Sequence, residues 1–451
     1  VYPVRLTERT MSGEARVFPP GFVWGAATAA HQVEGGNVGS DCWALEHARP
    51  SLFREPSGDA VDQYNRFADD SAIVAGLGFG AYRFSIEWAR IEPEEGSFSS
   101  AALAHYQRCI DHCLERGVEP VLTFHHFTLP LWQARRGGFT DPEFADRFAR
   151  YCEHAARALK GFSTACTINE LNLPLFLREG ALERLRSDGG RARMEAAEGV
   201  LEGSIERFFL FTPPEAILGQ GLAAHARGRD AIKSAHPHCR VGVTLALQDE
   251  QAEPGAEPLR DKRRDAYYGV CLDAVVGDDF IGVQTYSRVV ARRDGTVGPE
   301  PGHPLTMMGY EDRPQALAET CRFAWERTKT PLLVTENGWA GEDDRRRAAF
   351  VVEALAAVHN AIADGVDVRG YFYWSLLDNF EWIRGYQPKF GLIGVDRATM
   401  RRQIKPSAVQ LGGVARANAL PAPTAPDTTA TDTTAADMTT VAQASGAPVG
   451  V

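Results

Sequence analysis

The chain has 451 residues, 44% of them apolar and 24% charged, the proportions of a globular protein rather than of a disordered or fibrous one. Its 48 basic against 59 acidic residues leave a net charge of −11, so the composition offers no basic face to a nucleic acid. No run approaches the ~18 apolar residues of a membrane span, and residues 1–20 lack the apolar core of a secretory signal, so the expected setting is cytoplasmic with no membrane partner.

Residues 1–16 show no periodicity and are expected to form a flexible leader, with Met11 a candidate start. From Phe22 onward, short β-rich apolar runs alternate with longer amphipathic ones. Strands are predicted at 22–28, 81–86, 119–124, 164–168, 241–247, 280–285, 332–335 and 368–374, and helices at 61–76, 101–115, 142–158, 214–234, 314–328 and 345–363. Eight strands joined by crossover helices must pair in parallel, and closing them gives an α/β fold, a (β/α)8 TIM barrel, as one catalytic domain over 17–416. An Arg- and Glu-rich stretch at 180–211 interrupts the fourth unit, where it forms either part of the site's rim or a solvated charged helix. From Ala417 to Val451, 10 Ala and 8 Thr in 35 residues, with no aromatic, Lys or Arg, predict a disordered tail. The eight cysteines include no Cys-x-x-Cys pair and read as free buried thiols. Cys109, His112 and Cys113 share a helical face, for which packing is preferred over metal ligation; no metal or other cofactor is expected.

A barrel of this kind carries its chemistry at the strand C-termini, and polar residues collect there. The fourth strand runs into Thr167-Ile168-Asn169-Glu170 and the seventh into Thr335-Glu336-Asn337-Gly338. Two carboxyl groups projecting into one cavity suit glycoside hydrolysis, in which one protonates the departing oxygen while the other attacks or stabilises the anomeric carbon. Arg83 on the second strand, alternating with Ser85 and Glu87, is placed to depress the pKa of a neighbouring carboxylate. Gln32, His125, His126, Tyr286, Trp374, Glu381 and Trp382 add aromatic faces for sugar C–H groups and hydrogen-bonding groups for hydroxyls.

At these residues the sequence resembles family-1 glycoside hydrolases, the retaining β-glucosidases. The resemblance runs from about Phe18 to Gln410 and rests on Phe22-Val23-Trp24-Gly25-Ala26-Ala27-Thr28, His31-Gln32-Val33-Glu34-Gly35, Arg83-Phe84-Ser85-Ile86-Glu87-Trp88, Thr335-Glu336-Asn337-Gly338 and Trp374-Ser375-Leu376-Leu377-Asp378-Asn379-Phe380-Glu381-Trp382. It implies Glu170 as acid/base and Glu336 as nucleophile. It also implies Gln32, His126, Asn169, Glu381 and Trp382 as ligands of the glycone hydroxyls, Trp374 as the glycone's platform, and Arg83 and Tyr286 as partners of the nucleophile.

Three departures from the family pattern stand out. Leu171 replaces the usual Pro after the acid/base, Gln284-Thr285-Tyr286 replaces Asn-Tyr-Tyr, and Phe127 replaces Trp after His126; they imply an altered loop and relaxed glycone selectivity. Glu381 would repel a phosphorylated sugar, and Glu170, where thioglucosidases carry Gln, favours O-glycosides. The resulting expectation is a retaining β-glycosidase that releases terminal β-glucosyl or related residues from small-molecule β-glycosides. A transglycosylase using the same covalent intermediate, or a catalytically weak sugar-binding barrel, is the alternative.

Overall fold

Short strands that are apolar on both faces are stable only when both faces are covered, which a parallel sheet achieves by closing on itself inside a layer of helices. The computed structural model, which describes residues 15–187 and 189–422, has this arrangement. Its barrel strands are β1 (Val23–Ala27), β2 (Ala81–Ser85), β3 (Glu119–His125), β4 (Thr164–Ile168), β5 (Arg240–Ala246), β6 (Phe280–Gln284), β7 (Leu332–Asn337) and β8 (Val368–Trp374). Each pairs in parallel with its neighbour, and β8 on β1 closes the ring. All eight predicted strands are present, two of them end for end and the rest with ends displaced by at most two residues. The largest displacement matters: β7 continues through Glu336 and Asn337, so both stand on the strand itself.

Five predicted helices appear as Gln63–Leu77, Ser100–Leu114, Phe144–Ala158, Ala316–Thr328 and Asp344–Ala363. The last is capped as its acidic start suggests, the Asp343 carboxylate accepting from the backbone N–H groups of Arg345 and Arg346. The segment predicted at 214–234 is broken into a short turn, a wide π-type turn at Ile217–Gly221 and the helix Leu222–Ala235. Helical segments Glu257–Arg264 and Val270–Ala274, joined by a π-type turn, have no counterpart in the prediction, because the first buries none of its residues and so carries no apolar period.

The expected domain limits need correction at both ends. Arg16–Val17 pairs antiparallel with Ala419–Leu420, and the Asn418 carboxamide accepts from Trp24 Nε1 at 2.9 Å. Strand pairing thus carries the ordered chain past 417, a contact too short and too distant in sequence to show as a pattern. The rest of the expected leader, 1–14, and of the expected tail, 423–451, lies outside the described residues.

Register and close approach fix what stands at the barrel's C-terminal end. Glu336 on β7 pairs with Gln284 on β6, and Trp374 on β8 with Ala27 on β1. Gly338, just past β7, lies so near β8 that a Cβ there would meet the Trp374 carbonyl oxygen at 1.8 Å, so no larger residue can follow Glu336-Asn337.

Candidate active site

A cleft of about 310 Å3 opens at this end of the barrel. Glu170, Glu336, Tyr286 and His126 line its floor and walls, together with Gln32, Trp374, Glu381 and Trp382. These side chains come from six strand ends and the loop after β8, so only barrel closure brings them together.

Glu336 is held from two sides. Arg83 on β2 donates through Nη1 to Oε1 at 2.6 Å, and the Tyr286 hydroxyl, past β6, donates to Oε2 at 2.6 Å. Arg83 is itself locked, its Nε donating to Thr123 Oγ1 at 3.0 Å and its Nη2 to Asn169 Oδ1. Glu170 differs in kind. Its backbone sits in the left-handed region at φ 46°, a costly conformation for a side chain with a Cβ, and is pinned by Thr244 on β5, whose hydroxyl accepts from Glu170 N at 2.9 Å. Leu171 N donates to the Thr244 carbonyl at 3.2 Å, a bond the expected Pro could not make. The departure at this position adds an anchor to the loop.

Burial raises both carboxyl pKa values, and the neighbours separate them. Glu170 is pushed well above the carboxylate range by desolvation and then by the negative charge of Glu336. Glu336 is also raised by desolvation, with Arg83 and Tyr286 pulling it back. The expectation that Arg83 depresses this pKa is correct for its contribution but not for the net direction, because burial outweighs it. The consequence is an order of titration: Glu336 ionises first and Glu170 retains its proton longest. Glu381 is raised to about 8 by burial and by Glu336.

The remaining predicted residues divide into surface and support. Gln32 Nε2 donates to Glu381 Oε2 at 3.3 Å and to the Phe380 carbonyl at 2.8 Å, while its Oε1 is buried without a protein partner and is free to accept. Trp374 and Trp382 stack on His126 with centroids 5.7 and 6.2 Å away, and Trp382 lies parallel to His31 on its other side. Burial drives His126 well below its ordinary pKa, so its ring is neutral. Asn169 does not line the cleft. It is fully buried, its Oδ1 accepting from Arg83, Thr244 (3.1 Å) and Gln284 (2.9 Å) and its Nδ2 donating to His126 Nε2 at 3.2 Å. Its direct role toward a sugar is thus limited to what Nδ2 has left over.

Of the two other departures, Gln284 replaces one amide with a longer one that reaches Asn169, and Thr285 turns away to Thr320. Phe127 packs edge-on against Trp382 at 5.2 Å and stacks on Phe209. The ring of His125, next to His126, points into a nest of Phe139, Phe148 and Phe209 and makes no hydrogen bond, so it is core. Cys113 is likewise core and Cys109 faces His105 of its own helix. Sequence reasoning missed Thr244 and Thr123, which read as ordinary β-branched strand residues, and the cleft-lining Phe176, Leu177 and Tyr310. The 180–211 stretch does reach the site: Ala181, Arg184 and Phe208-Phe209-Leu210 line the cleft.

The sequence profile of Glycosyl hydrolase family 1 matches residues 14–180 and 279–420. The chain is 33% identical to thermostable β-glucosidase B of Thermobispora bispora, covering 89% of this chain and 91% of that protein. It is 32% identical to the bifunctional β-D-glucosidase/β-D-fucosidase of Bifidobacterium breve, covering 87% and 96%. The crystal structure of β-glycosidase BGL167 superposes with a TM-score of 0.84 at 49% identity, covering 88% of this chain and 97% of that one.

Proposed function

The chain belongs to glycosyl hydrolase family 1 and is a retaining β-glucosidase, and from that premise we propose that Glu336 is its nucleophile and Glu170 its acid/base. The observation that carries the assignment is the asymmetry of the two carboxyl groups. Only Glu336 is gripped by a guanidinium and a phenol, and only Glu170 lacks a cationic partner in contact.

In the first step a Glu336 carboxylate oxygen attacks the anomeric carbon, the glycosidic C–O bond breaks, and the Glu170 proton passes to the leaving oxygen. Arg83 and Tyr286 hold the attacking oxygens in place and keep the second lone pairs occupied, so the attacking geometry is set before substrate arrives. With Glu336 esterified, the negative charge that kept Glu170 protonated is gone, and Glu170 is left ionised. In the second step Glu170 takes a proton from water, whose oxygen attacks the anomeric carbon and releases Glu336. Two inversions restore the β configuration. Gln32, Glu381 and Trp382 meet the glycone hydroxyls, His126 donates or accepts as a neutral ring, and Trp374 offers its face to the sugar C–H groups.

The presence of a relative named for both glucosidase and fucosidase activity supports a glycone site tolerant at the sugar's periphery. The transferase and binding-barrel alternatives are not favoured. Glu336→Gln tests the assignment: it should abolish turnover of an aryl β-glucoside with the fold intact by circular dichroism, and wild-type turnover in that variant would refute it.

A further inference from the structure

The side of the cleft that receives the leaving group can be located from Glu170, because the group it protonates must lie beside it. Three residues past Glu170 begins the helix Leu173–Arg186, and Leu173, Phe176, Leu177, Ala181 and Arg184 all line the cleft. Their spacing places them in one stripe along a single helix face. From Leu173 to Arg184 the stripe runs about 16 Å at ~1.5 Å per residue, more than one sugar or phenyl ring needs. It is apolar until its last member. Phe208, Phe209 and Leu210 extend the same character from the second half of the 180–211 stretch.

Two of the apolar side chains lining the cleft remain open to water, Leu177 at 39% and Ile383 at 43% exposure. Large exposed apolar groups inside a concave site are uncovered binding surface. A second sugar laid along this stripe would find no hydrogen-bonding side chain on it before Arg184, and the polar lining residues Gln248 and Ser287 stand on other elements. At the mouth the chemistry changes. Arg184 and Arg384 both line the cleft and are exposed; Arg384 donates Nη2 to the Met308 carbonyl at 3.2 Å and its charge pulls the Glu381 pKa down, and among the described residues neither arginine forms an ion pair within 4 Å. The part of this wall from Ala181 onward, Arg184 included, lies in the span 181–278 that the family profile leaves unmatched.

Resting on the catalytic reading above, we infer that the natural aglycone is an extended, apolar, ring-bearing alcohol or phenol whose far end carries an anionic group, and not a second sugar. The apolar body lies along Leu173, Phe176 and Leu177, and the anion reaches Arg184 and Arg384.

The test is a comparison of kcat/KM for the full chain on four β-glucosides at low ionic strength: nitrophenyl, cellobiose, biphenylmethyl, and biphenylmethyl bearing a carboxylate on the distal ring. The last three release alcohols, so differences among them report binding rather than leaving-group acidity. Biphenylmethyl glucoside should exceed cellobiose by about tenfold, and the distal carboxylate should add about threefold more. That carboxylate advantage should fall to near one in Arg184→Gln and in high salt. Cellobiose matching the biphenylmethyl glucoside would overturn the apolar assignment. A carboxylate advantage absent from the wild type, or unchanged in Arg184→Gln, would overturn the anionic one. Nitrophenyl glucoside separates the two levels of argument, since its hydrolysis upholds the catalytic reading whatever the aglycone order, and its failure removes that reading itself.

Discussion

Arg83 and Glu336 meet at 2.6 Å, Nη1 to Oε1, with both side chains buried, and the same guanidinium reaches Asn169 through its other terminal nitrogen. One planar group thereby ties the seventh strand to the segment just past the fourth, the two places from which Glu336 and Glu170 project into the cleft. A charge without that planar fork cannot do the same.

Arg83→Lys preserves the positive charge but cannot donate to Glu336, Asn169 and Thr123 at once. The expected result is a fall in kcat of roughly 10²-fold or more, from misplacement of the nucleophile, with a smaller change in KM. Steady-state kinetics on an aryl β-glucoside decide it. A kcat close to that of the wild type would mean that charge alone suffices.

Glu170→Ala separates protonation from attack. Alkyl glucosides, whose leaving oxygen needs the proton, should lose roughly 10²- to 10⁴-fold in kcat/KM, and a dinitrophenyl glucoside far less. Equal losses on both would take Glu170 out of the acid role.

The pH profile follows from the order of titration. For kcat/KM the acidic limb reports Glu336 losing its proton and the basic limb Glu170 losing its own, both displaced upward by burial. Glu381 is among the charges that raise Glu170, so Glu381→Gln should move the basic limb to lower pH. A limb that stays in place or moves up would contradict the coupling.

Much of this was legible because it is local. Each barrel strand is a short apolar run, and Glu170 and Glu336 stand out as carboxyls directly after such runs. What was not legible is long-range. Thr244 reads as one more β-branched strand residue until barrel closure sets its hydroxyl between Asn169 and Glu170 N. Asn169, expected at the sugar, has its Oδ1 taken up by three donors from three other strands, which leaves one Nδ2 hydrogen. The 180–211 stretch stood out by composition, yet its role depends on which face of a helix turns to the cleft, and that is decided by the neighbours it packs on. The sign of the Glu336 shift required burial, a property of the assembled site.

A separate prediction concerns stability. Asp41 is fully buried, its Oδ1 accepting from Cys42 N and Leu129 N while Oδ2 has no partner, and desolvation raises its pKa from 3.8 to about 7. The folded state therefore holds a proton that the unfolded state has released between these values. The stabilising contribution is complete below pH 3.8 and is lost as pH rises to about 7. Asp41→Asn keeps the accepting oxygen and puts an uncharged amide in place of the lone one. It should flatten this dependence, and relative to wild type the variant should gain on the order of a few kcal/mol between pH 4 and pH 8 in urea unfolding. Parallel pH curves for the two proteins would show that Asp41 ionises freely in the fold.

The central claim is that the sugar becomes covalently attached to Glu336. The direct measurement uses a β-glucoside fluorinated next to the anomeric carbon and bearing dinitrophenolate, which forms the glycosyl-enzyme quickly and releases it slowly. Mass spectrometry of the intact chain should show one added fluoro-sugar, and fragmentation of the protease digest should place it on Glu336 within Thr335-Glu336-Asn337-Gly338. A label on Glu170 or Glu381, or full turnover of the reagent with no adduct at any time point, would contradict the account.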